Sequence, residues 1–207
     1  MKTQELLKKY EENQILFSNL KKAGEGFLGR ALTIKNIKHD LDSRIKEFDS
    51  LLKKATEKKL GNPLAEMTDI VGLRVVCLFR SDVEKAKEVI RETFSIIKED
   101  EKRTKMPKNL FDFAETHFDV KLNTLPDNRL GFDEKGTLKR LSEIVFEIQV
   151  RTICEHAWIS TSHNLFYKSD NTVPQIIERD FYAINGLFYI ADTHFEIIKK
   201  ESSRSIE

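Results

Sequence analysis

The sequence is poor in the residues that cross-link or interrupt a chain. Its 207 residues include two cysteines, four prolines and eight glycines. Cys77 lies inside an apolar run and Cys154 follows a strand-like pattern, and this separation matches neither a disulfide framework nor a cysteine metal site. We therefore expect no disulfide scaffold and no cysteine-ligated metal, and we expect a reducing, cytoplasmic compartment.

The sequence also lacks long apolar runs and a large excess of either charge. It has no stretch of roughly 18 consecutive apolar residues, so we expect no membrane-spanning helix. Residues 1–5 do not resemble the start of a signal peptide. The net charge is +1, which produces no overall field that favours nucleic acid. The positive charge is nevertheless concentrated in one segment, which contains Lys35, Lys38, Arg44, Lys46, Lys53, Lys54, Lys58 and Lys59.

The segment Phe146–Thr152 carries the most informative pattern. Apolar and polar residues alternate strictly along it, which predicts a strand with one buried face and one polar face. The polar face carries Glu147, Gln149 and Arg151, spaced about 7 Å apart. A carboxylate, an amide and a guanidinium in a row suit a metal ion and a phosphorylated substrate, although a solvated edge strand shows the same alternation.

A second alternating segment covers residues 117–122. Residues 123–139 join it to the first and contain Pro126, Gly131 and Gly136, which we interpret as a long hairpin-type loop. Strands joined in this way are expected to pair antiparallel and to bring their polar side chains together. One common surface would then be lined by His117, Asp119, Lys121, Glu147, Gln149 and Arg151.

Helical and strand-like patterns alternate along the rest of the chain. The predicted helices are 4–22, 50–60, 82–93, 153–166 and 174–200, and the further predicted strands are 73–79 and 95–98. We expect residues 24–26 to end the first helix, Ser81 to cap the 82–93 helix, and residues 99–112 to be irregular. The pattern predicts a mixed α/β or α+β domain with one sheet, helices packed on it, and one sheet face partly open.

The chain ends are predicted to be helical. Residues 1–34 are interpreted as an N-terminal helical extension, 35–170 as the core, and 171–207 as a C-terminal helix packed on that core. The last helix is expected to bury Phe181, Ile184, Phe188, Ile190 and Phe195. Its apolar face serves either this packing or association with a second copy of the chain.

Several sequence blocks occur in a specific order. They are MTDIVGLRVV at 67–76, EIQVRT at 147–152, HAW at 156–158, His163, and YK at 167–168. Together they resemble the synthetase domain of the RelA/SpoT family, over roughly residues 40–198, in its stand-alone small alarmone synthetase form. The resemblance implies a nucleotidyltransferase-like fold. It also implies transfer of pyrophosphate from ATP to the 3′-hydroxyl of GDP or GTP, which makes the alarmone (p)ppGpp of the stringent response.

The resemblance assigns the donor side to the basic segment. Arg44, Lys46, Ser50 and Lys53 correspond to the family's ATP-binding segment. If residues 43–47 are extended, the first two share a face, and a helix opened at the serine offers its N-terminal amides to a phosphate. Arg74 lies in a core strand, where an unpaired guanidinium is costly, so we expect it to pair with a carboxylate or to reach phosphates.

The resemblance also assigns Asp69 and Glu147 as the carboxylates that hold Mg²⁺. Mg²⁺ is bound by one or two carboxylates together with phosphate oxygens and water, as a triphosphate donor requires. Glu147 is in addition a candidate to accept the proton of the attacking hydroxyl.

The acceptor side departs from the family pattern. By resemblance the candidate acceptor residues are Lys108, Asn109, Phe113, His117, Gln149 and Arg151. The family motif Gly-Tyr-x-Ser-x-His here has Asp112, Phe113 and Glu115 in place of the glycine, tyrosine and serine. Phe113 keeps a ring that stacks on a base. Three outcomes stay open: (p)ppGpp synthesis, use of another 3′-hydroxyl such as an adenosine nucleotide or a tRNA end, or nucleotide binding without catalysis.

Overall fold

The computed structural model describes residues 2–103, 114–123, 135–166 and 175–204. These ranges contain eight helices and five strands. They are α1 (Thr3–Glu12), α2 (Gln14–Ile34), β1 (His39–Ile45), α3 (Phe48–Glu57), α4 (Pro63–Glu66), β2 (Val71–Cys77), α5 (Arg80–Thr93), β3 (Phe94–Arg103), β4 (Ala114–Leu122), α6 (Lys135–Glu143), β5 (Phe146–Thr152), α7 (Ile153–Phe166) and α8 (Gln175–Arg204).

The five strands form one mixed sheet in the order β1-β2-β5-β4-β3. β2 and β5 run parallel, and the other neighbouring pairs are antiparallel. The predicted fold class, α+β with a single mixed sheet flanked by helices, is confirmed. The predicted antiparallel pairing of β4 with β5 is confirmed as well, and it forms the polar surface described below.

The N-terminal helices differ from the prediction that residues 24–26 end the first helix. The break lies earlier, at Asn13, and α2 continues through the glycines. Gly24 faces the sheet, where an added Cβ would lie 3.2 Å from Leu73 Cδ2 and 3.3 Å from Phe146 Cε2. The glycine therefore permits a close helix–sheet approach, and the buried contacts offset its low helix propensity.

Two segments predicted to be irregular are regular where the structure describes them. β3 extends to Arg103 because backbone pairing with β4 tolerates charged side chains at a solvated sheet edge. The predicted 123–139 loop contains the start of α6, and the fully buried Leu141 anchors that helix on the core. The sequence did not predict α6, because Gly131 and Gly136 indicate a loop more strongly than one apolar residue, Leu141, indicates a helix.

α8 packs through an apolar contact of Phe181 with Trp158 of α7 and through polar contacts with α5. Asp192 Oδ2 accepts a hydrogen bond from Arg80 Nε at 2.7 Å, and Glu196 Oε2 accepts one from the Ser81 backbone N–H at 3.1 Å. The prediction that Ser81 caps α5 is wrong, because Phe79 is the N-cap residue and α8 supplies the carboxylate at this helix end. A partner more than 100 residues away gives no local sequence signal.

The burial predicted for the last helix is correct only in part. Phe181 is buried and Phe188 is half-buried, whereas Ile184, Ile190 and Phe195 are 48%, 48% and 44% exposed. The side of α8 that meets α5 carries Asp192 and Glu196, which make polar contacts. Although α8 has 30 residues, no described helix combines the length and apolar character needed to span a bilayer.

A reciprocal capping box fixes the junction between β5 and α7. The Glu155 backbone N–H donates to Thr152 Oγ1 at 3.1 Å, and the Thr152 backbone N–H donates to Glu155 Oε2 at 2.7 Å. Glu155 is 9% exposed. Burial raises its pKa to about 7, the Thr152 hydrogen bond opposes the rise, and the charge of Asp192 adds to it.

Glu155→Gln is expected to stabilise the fold at pH 8 and to leave it nearly unchanged at pH 5. The folded pKa is above the unfolded one, so the stability that Glu155 contributes is present below about pH 4.5 and lost as pH rises through about 7. Glutamine keeps the capping geometry and carries no charge. The rise in pKa represents at most about 3 kcal/mol, and the loss of a charge at the helix N-terminus reduces the gain to about 2 kcal/mol.

Urea unfolding of both proteins at pH 5 and pH 8 measures this difference. If the two proteins differ in free energy of unfolding by the same amount at both pH values, the raised pKa of Glu155 is contradicted.

Candidate active site

A polar surface crosses four adjacent strands on the sheet face opposite α2. In register, β1 places Arg44 beside Gly72 of β2, and Gly72 lies beside Glu147 of β5. Glu147 in turn lies opposite Asp119 of β4. The neighbouring row is Asp42, Arg74, Gln149 and His117. The sequence-predicted pooling of polar groups on β4 and β5 is confirmed, and two more strands extend it.

Both carboxylate oxygens of Glu147 are held. Gln149 Nε2 donates to Oε1 at 2.6 Å, and His117 Nδ1 lies 2.8 Å from Oε2. The Gln149 carbonyl accepts from Arg74 Nε at 3.2 Å and from Arg151 Nη2 at 3.3 Å, which fixes the orientation of the amide. Glu147 is only 9% exposed, so this network sets the direction of a largely desolvated carboxylate.

Glu115 forms the other end of this network. Its Oε2 lies 2.9 Å from His117 Nε2, and its Oε1 lies 3.2 Å from Arg151 Nη2. Burial lowers the pKa of His117, but the two flanking carboxylates raise it further, so the net shift is upward. Burial lowers the pKa of Arg151 to about 10, with Glu115 opposing that shift. An imidazole between two carboxylates donates to both only when both its nitrogens are protonated.

Asp69 lies just before β2. Its Oδ2 accepts ion pairs from Lys46 Nζ at 2.8 Å and Lys54 Nζ at 2.5 Å. Burial raises the pKa of Asp69, and the two ammonium groups lower it more, so the carboxyl is held ionised. Its other oxygen, Oδ1, is buried and has no hydrogen-bond partner among the described residues.

Asp69 and Glu147 line the same narrow cleft, together with Gly72 and Arg74. A Cβ added to Gly72, the neighbour of Glu147 in the sheet, would meet nothing within 4 Å, so the space above Gly72 is open. No group of three or more metal-binding side chains occurs within the described ranges. Two carboxylates, one with an unpaired buried oxygen, fit a Mg²⁺ ion whose remaining ligands are phosphate oxygens and water.

A basic pocket of about 630 Å³ lies beside this cleft, and Arg44 lines both. Its volume is within the range of small-molecule sites. Four of the five donor-side residues predicted from the sequence line it, whereas Arg74 lines the cleft. α3 begins two residues before Ser50. The pocket is lined by Arg44, Ile45, Lys46, Glu47, Ser50, Lys53, Lys54, Glu57 and Lys58.

Two residues of the site, Lys54 and Glu115, were not among the site residues predicted from the sequence. The Lys53 side chain is 64% exposed and lies 3.9 Å from Glu57, whereas Lys54 reaches Asp69. The signal for Lys54 was its position one helical turn after Ser50, on the same helix face. Glu115 was noted only as a departure from a motif.

The other predicted residues fall into two groups. Arg74 is paired as expected, with Asp42 at 3.7 Å as well as with Gln149. Lys108, Asn109 and Phe113 lie outside the described residues.

Comparison with known proteins adds a family match. A family described as "Region found in RelA / SpoT proteins" matches residues 43–172, more than half of the chain. GTP pyrophosphokinase YwaC of Bacillus subtilis (strain 168) is 28% identical over 166 residues, which cover 77% of this chain and 72% of YwaC.

Two solved structures have a similar fold. The crystal structure of small alarmone synthetase 1 from Bacillus subtilis has a TM-score of 0.73 at 21% identity, covering 95% of this chain and 99% of that chain. The same synthetase bound to its product pppGpp has a TM-score of 0.72 at 21% identity, covering 94% of this chain and 98% of that chain.

Proposed function

Because the chain belongs to the RelA/SpoT family, we propose that it is a pyrophosphokinase of the small alarmone synthetase type. It transfers pyrophosphate from ATP to the 3′-hydroxyl of GDP or GTP and so makes (p)ppGpp. One observation carries the proposal: the cleft between Asp69 and Glu147 opens beside a basic pocket large enough for a nucleotide. The relatives named GTP pyrophosphokinase and alarmone synthetase support it.

The donor binds in the basic pocket. Arg44, Lys46, Lys53 and Lys54 supply positive charge to the triphosphate, and the first turn of α3 around Ser50 supplies backbone N–H groups. Pyrophosphate transfer needs in-line positioning and neutralisation of charge more than covalent chemistry. The arrangement of cations on one side of the cleft serves that purpose.

Asp69 and Glu147 are the residues that would hold Mg²⁺. The ion would supply neutralisation of the charge that develops on the donor phosphates. The unpaired Oδ1 of Asp69 would face the ion, while Lys46 and Lys54 hold Oδ2 and keep the carboxyl ionised.

The acceptor lies on the β4 side of the cleft. Glu147 accepts the proton of the 3′-hydroxyl, and its contacts with Gln149 and His117 aim it for that step. Arg151 lies in the same network. Lys108, Asn109 and Phe113 stay proposed acceptor residues, with the ring of Phe113 stacking on the base.

Incubation with labelled ATP and separate acceptors tests the reaction. GDP, GTP, an adenosine nucleotide and tRNA are each supplied, and the product is identified. We expect transfer to GDP or GTP. Transfer to tRNA or the adenosine nucleotide alone supports a related toxin with a different acceptor, and ATP binding without any transfer supports a nucleotide-binding module instead.

A second copy of the chain is the partner that we propose for the outer face of α8. That face exposes Ile177, Ile184, Leu187, Phe195 and Ile198, while polar residues of the same helix face inward. Exposed apolar stripes of this length are characteristic of interfaces. The mass in solution decides the proposal, since a monomer at all concentrations contradicts it.

The remaining assignments follow from the reaction. We propose residues 35–170 as the catalytic core, 1–34 as a helical extension and 171–207 as the C-terminal helix. Because ATP and guanine nucleotides are cytoplasmic metabolites, we propose that the protein acts in the cytoplasm.

A further inference from the structure

Arg151 is buried without enough partners. Its residue exposure is 2%, yet Nε and Nη1 are buried and make no hydrogen bond with any described residue. Among the residues that the structure describes, only Nη2 is engaged, by Gln149 Oε1 and Glu115 Oε1. A desolvated guanidinium with two unused donor nitrogens is costly, so each such group needs an explanation. A ligand oxygen or nitrogen at these two atoms would complete the set.

Glu115 connects this arginine to the candidate base. Along the polar surface, Arg151, Glu115, His117 and Glu147 follow one another, with N···O distances of 3.2, 2.9 and 2.8 Å. Neutralising Glu115 removes the ion-pair partner of the buried Arg151 guanidinium. The guanidinium, already bonded to Gln149, is then drawn along the strand toward Glu147 and away from its present direction.

Glu115 is not explained by packing. Its side chain is 13% exposed and, within the described ranges, makes two ion pairs, both with polar-surface residues. These pairs lower its pKa although burial raises it, which keeps the carboxyl charged. A buried charge held only by groups of the candidate site has its main effect on that site.

We propose that Glu115 is a positioning residue of the acceptor side, which holds Arg151 so that its unused donors meet the acceptor nucleotide. The inference rests on the proposed function and deepens it. The group recognised is a hydrogen-bond-accepting oxygen or nitrogen of the acceptor, on a phosphate or on a purine edge, both of which guanidinium donors bind. Glu115 itself does not touch the acceptor.

Glu115→Gln tests the inference, with Glu99→Gln as the matched control. Glu99 also pairs with an arginine, Arg91, at 2.6 Å, but lies on β3 away from the cleft. We expect Glu115→Gln to raise the acceptor KM about tenfold or more, because the buried ion pair that holds Arg151 is lost. The KM for ATP should stay within about twofold in both variants. Glu115→Asp keeps the charge and should recover part of the acceptor affinity.

The outcomes separate the inference from the function. An unchanged acceptor KM in Glu115→Gln overturns the inference, and so does an equal rise in both KM values, which indicates a general structural role. If Glu115→Gln does not fold, an acceptor KM in Glu115→Asp that equals wild type overturns it. If the wild-type chain transfers to no acceptor, the proposed function fails. GDP titration of wild type and Glu115→Gln then decides the inference by the same tenfold criterion.

Discussion

Glu147→Gln is expected to reduce pyrophosphate transfer by about a thousandfold or more, since it removes both a metal-binding carboxylate and a general base. Glutamine has nearly the same shape but no basic oxygen at neutral pH. Initial rates at saturating ATP and acceptor measure the loss. Glu99→Gln should stay within about twofold of wild type, because its ion pair is half exposed and far from the cleft.

The fold should survive this substitution. Glu147 accepts hydrogen bonds from Gln149 and from His117, and the new carbonyl oxygen still accepts one of them. The amide nitrogen is then placed against another donor, which costs about 1–2 kcal/mol. A thermal midpoint close to wild type together with lost transfer supports catalysis. A large fall in the midpoint together with retained transfer contradicts the role of Glu147 as base.

The strands that build the site were predictable because strand periodicity is local information. Alternation along Phe146–Thr152 puts Glu147, Gln149 and Arg151 on one face, whatever lies beside the strand. The antiparallel partner followed from a second alternating run with its own polar face. These two patterns were sufficient to assemble the β4–β5 half of the surface.

The packing of the helices was not predictable in the same way. The residues around Gly24 do not show whether it ends a helix or allows a close helix–sheet contact. The contact is with Leu73, which lies almost fifty residues away in the sequence.

Helical periodicity correctly indicated the burial of Phe181, which packs on Trp158 of α7. It could not indicate that Asp192 and Glu196 contact Arg80 and the N-terminus of α5, because those partners lie more than 100 residues earlier.

The functional residues missed were those whose role depends on a neighbour's geometry. In the sequence, Glu115 was only a departure from the family motif. In the structure its carboxylate pairs with His117 and Arg151, so its role depends on the positions of those two side chains. Lys53 was the lysine of α3 predicted to bind ATP. The orientation of α3 relative to Asp69 instead directs its neighbour, Lys54, to the cleft.

The adjacent lysines Lys53 and Lys54 provide the second test with a large expected effect. Lys54→Ala should raise the KM for ATP about tenfold or more, because Lys54 is the α3 ammonium aimed at the cleft, and charge-assisted bonds to phosphate are strong. Lys53→Ala should change it by less than about threefold, since its side chain is 64% exposed in solvent. Initial rates against ATP concentration, at fixed acceptor and Mg²⁺, measure both variants.

The comparison is sharp because both substitutions remove the same charge from the same helix turn. A general loss of positive field would affect the two variants equally, whereas a directed contact affects only one. Lys54→Ala leaves Asp69 paired with Lys46 at 2.8 Å, so the carboxylate keeps an ion-pair partner and we expect the protein to fold. If Lys53→Ala has the larger effect, the donor triphosphate lies farther from Asp69 than proposed, and the cleft and the basic pocket do not act as one site.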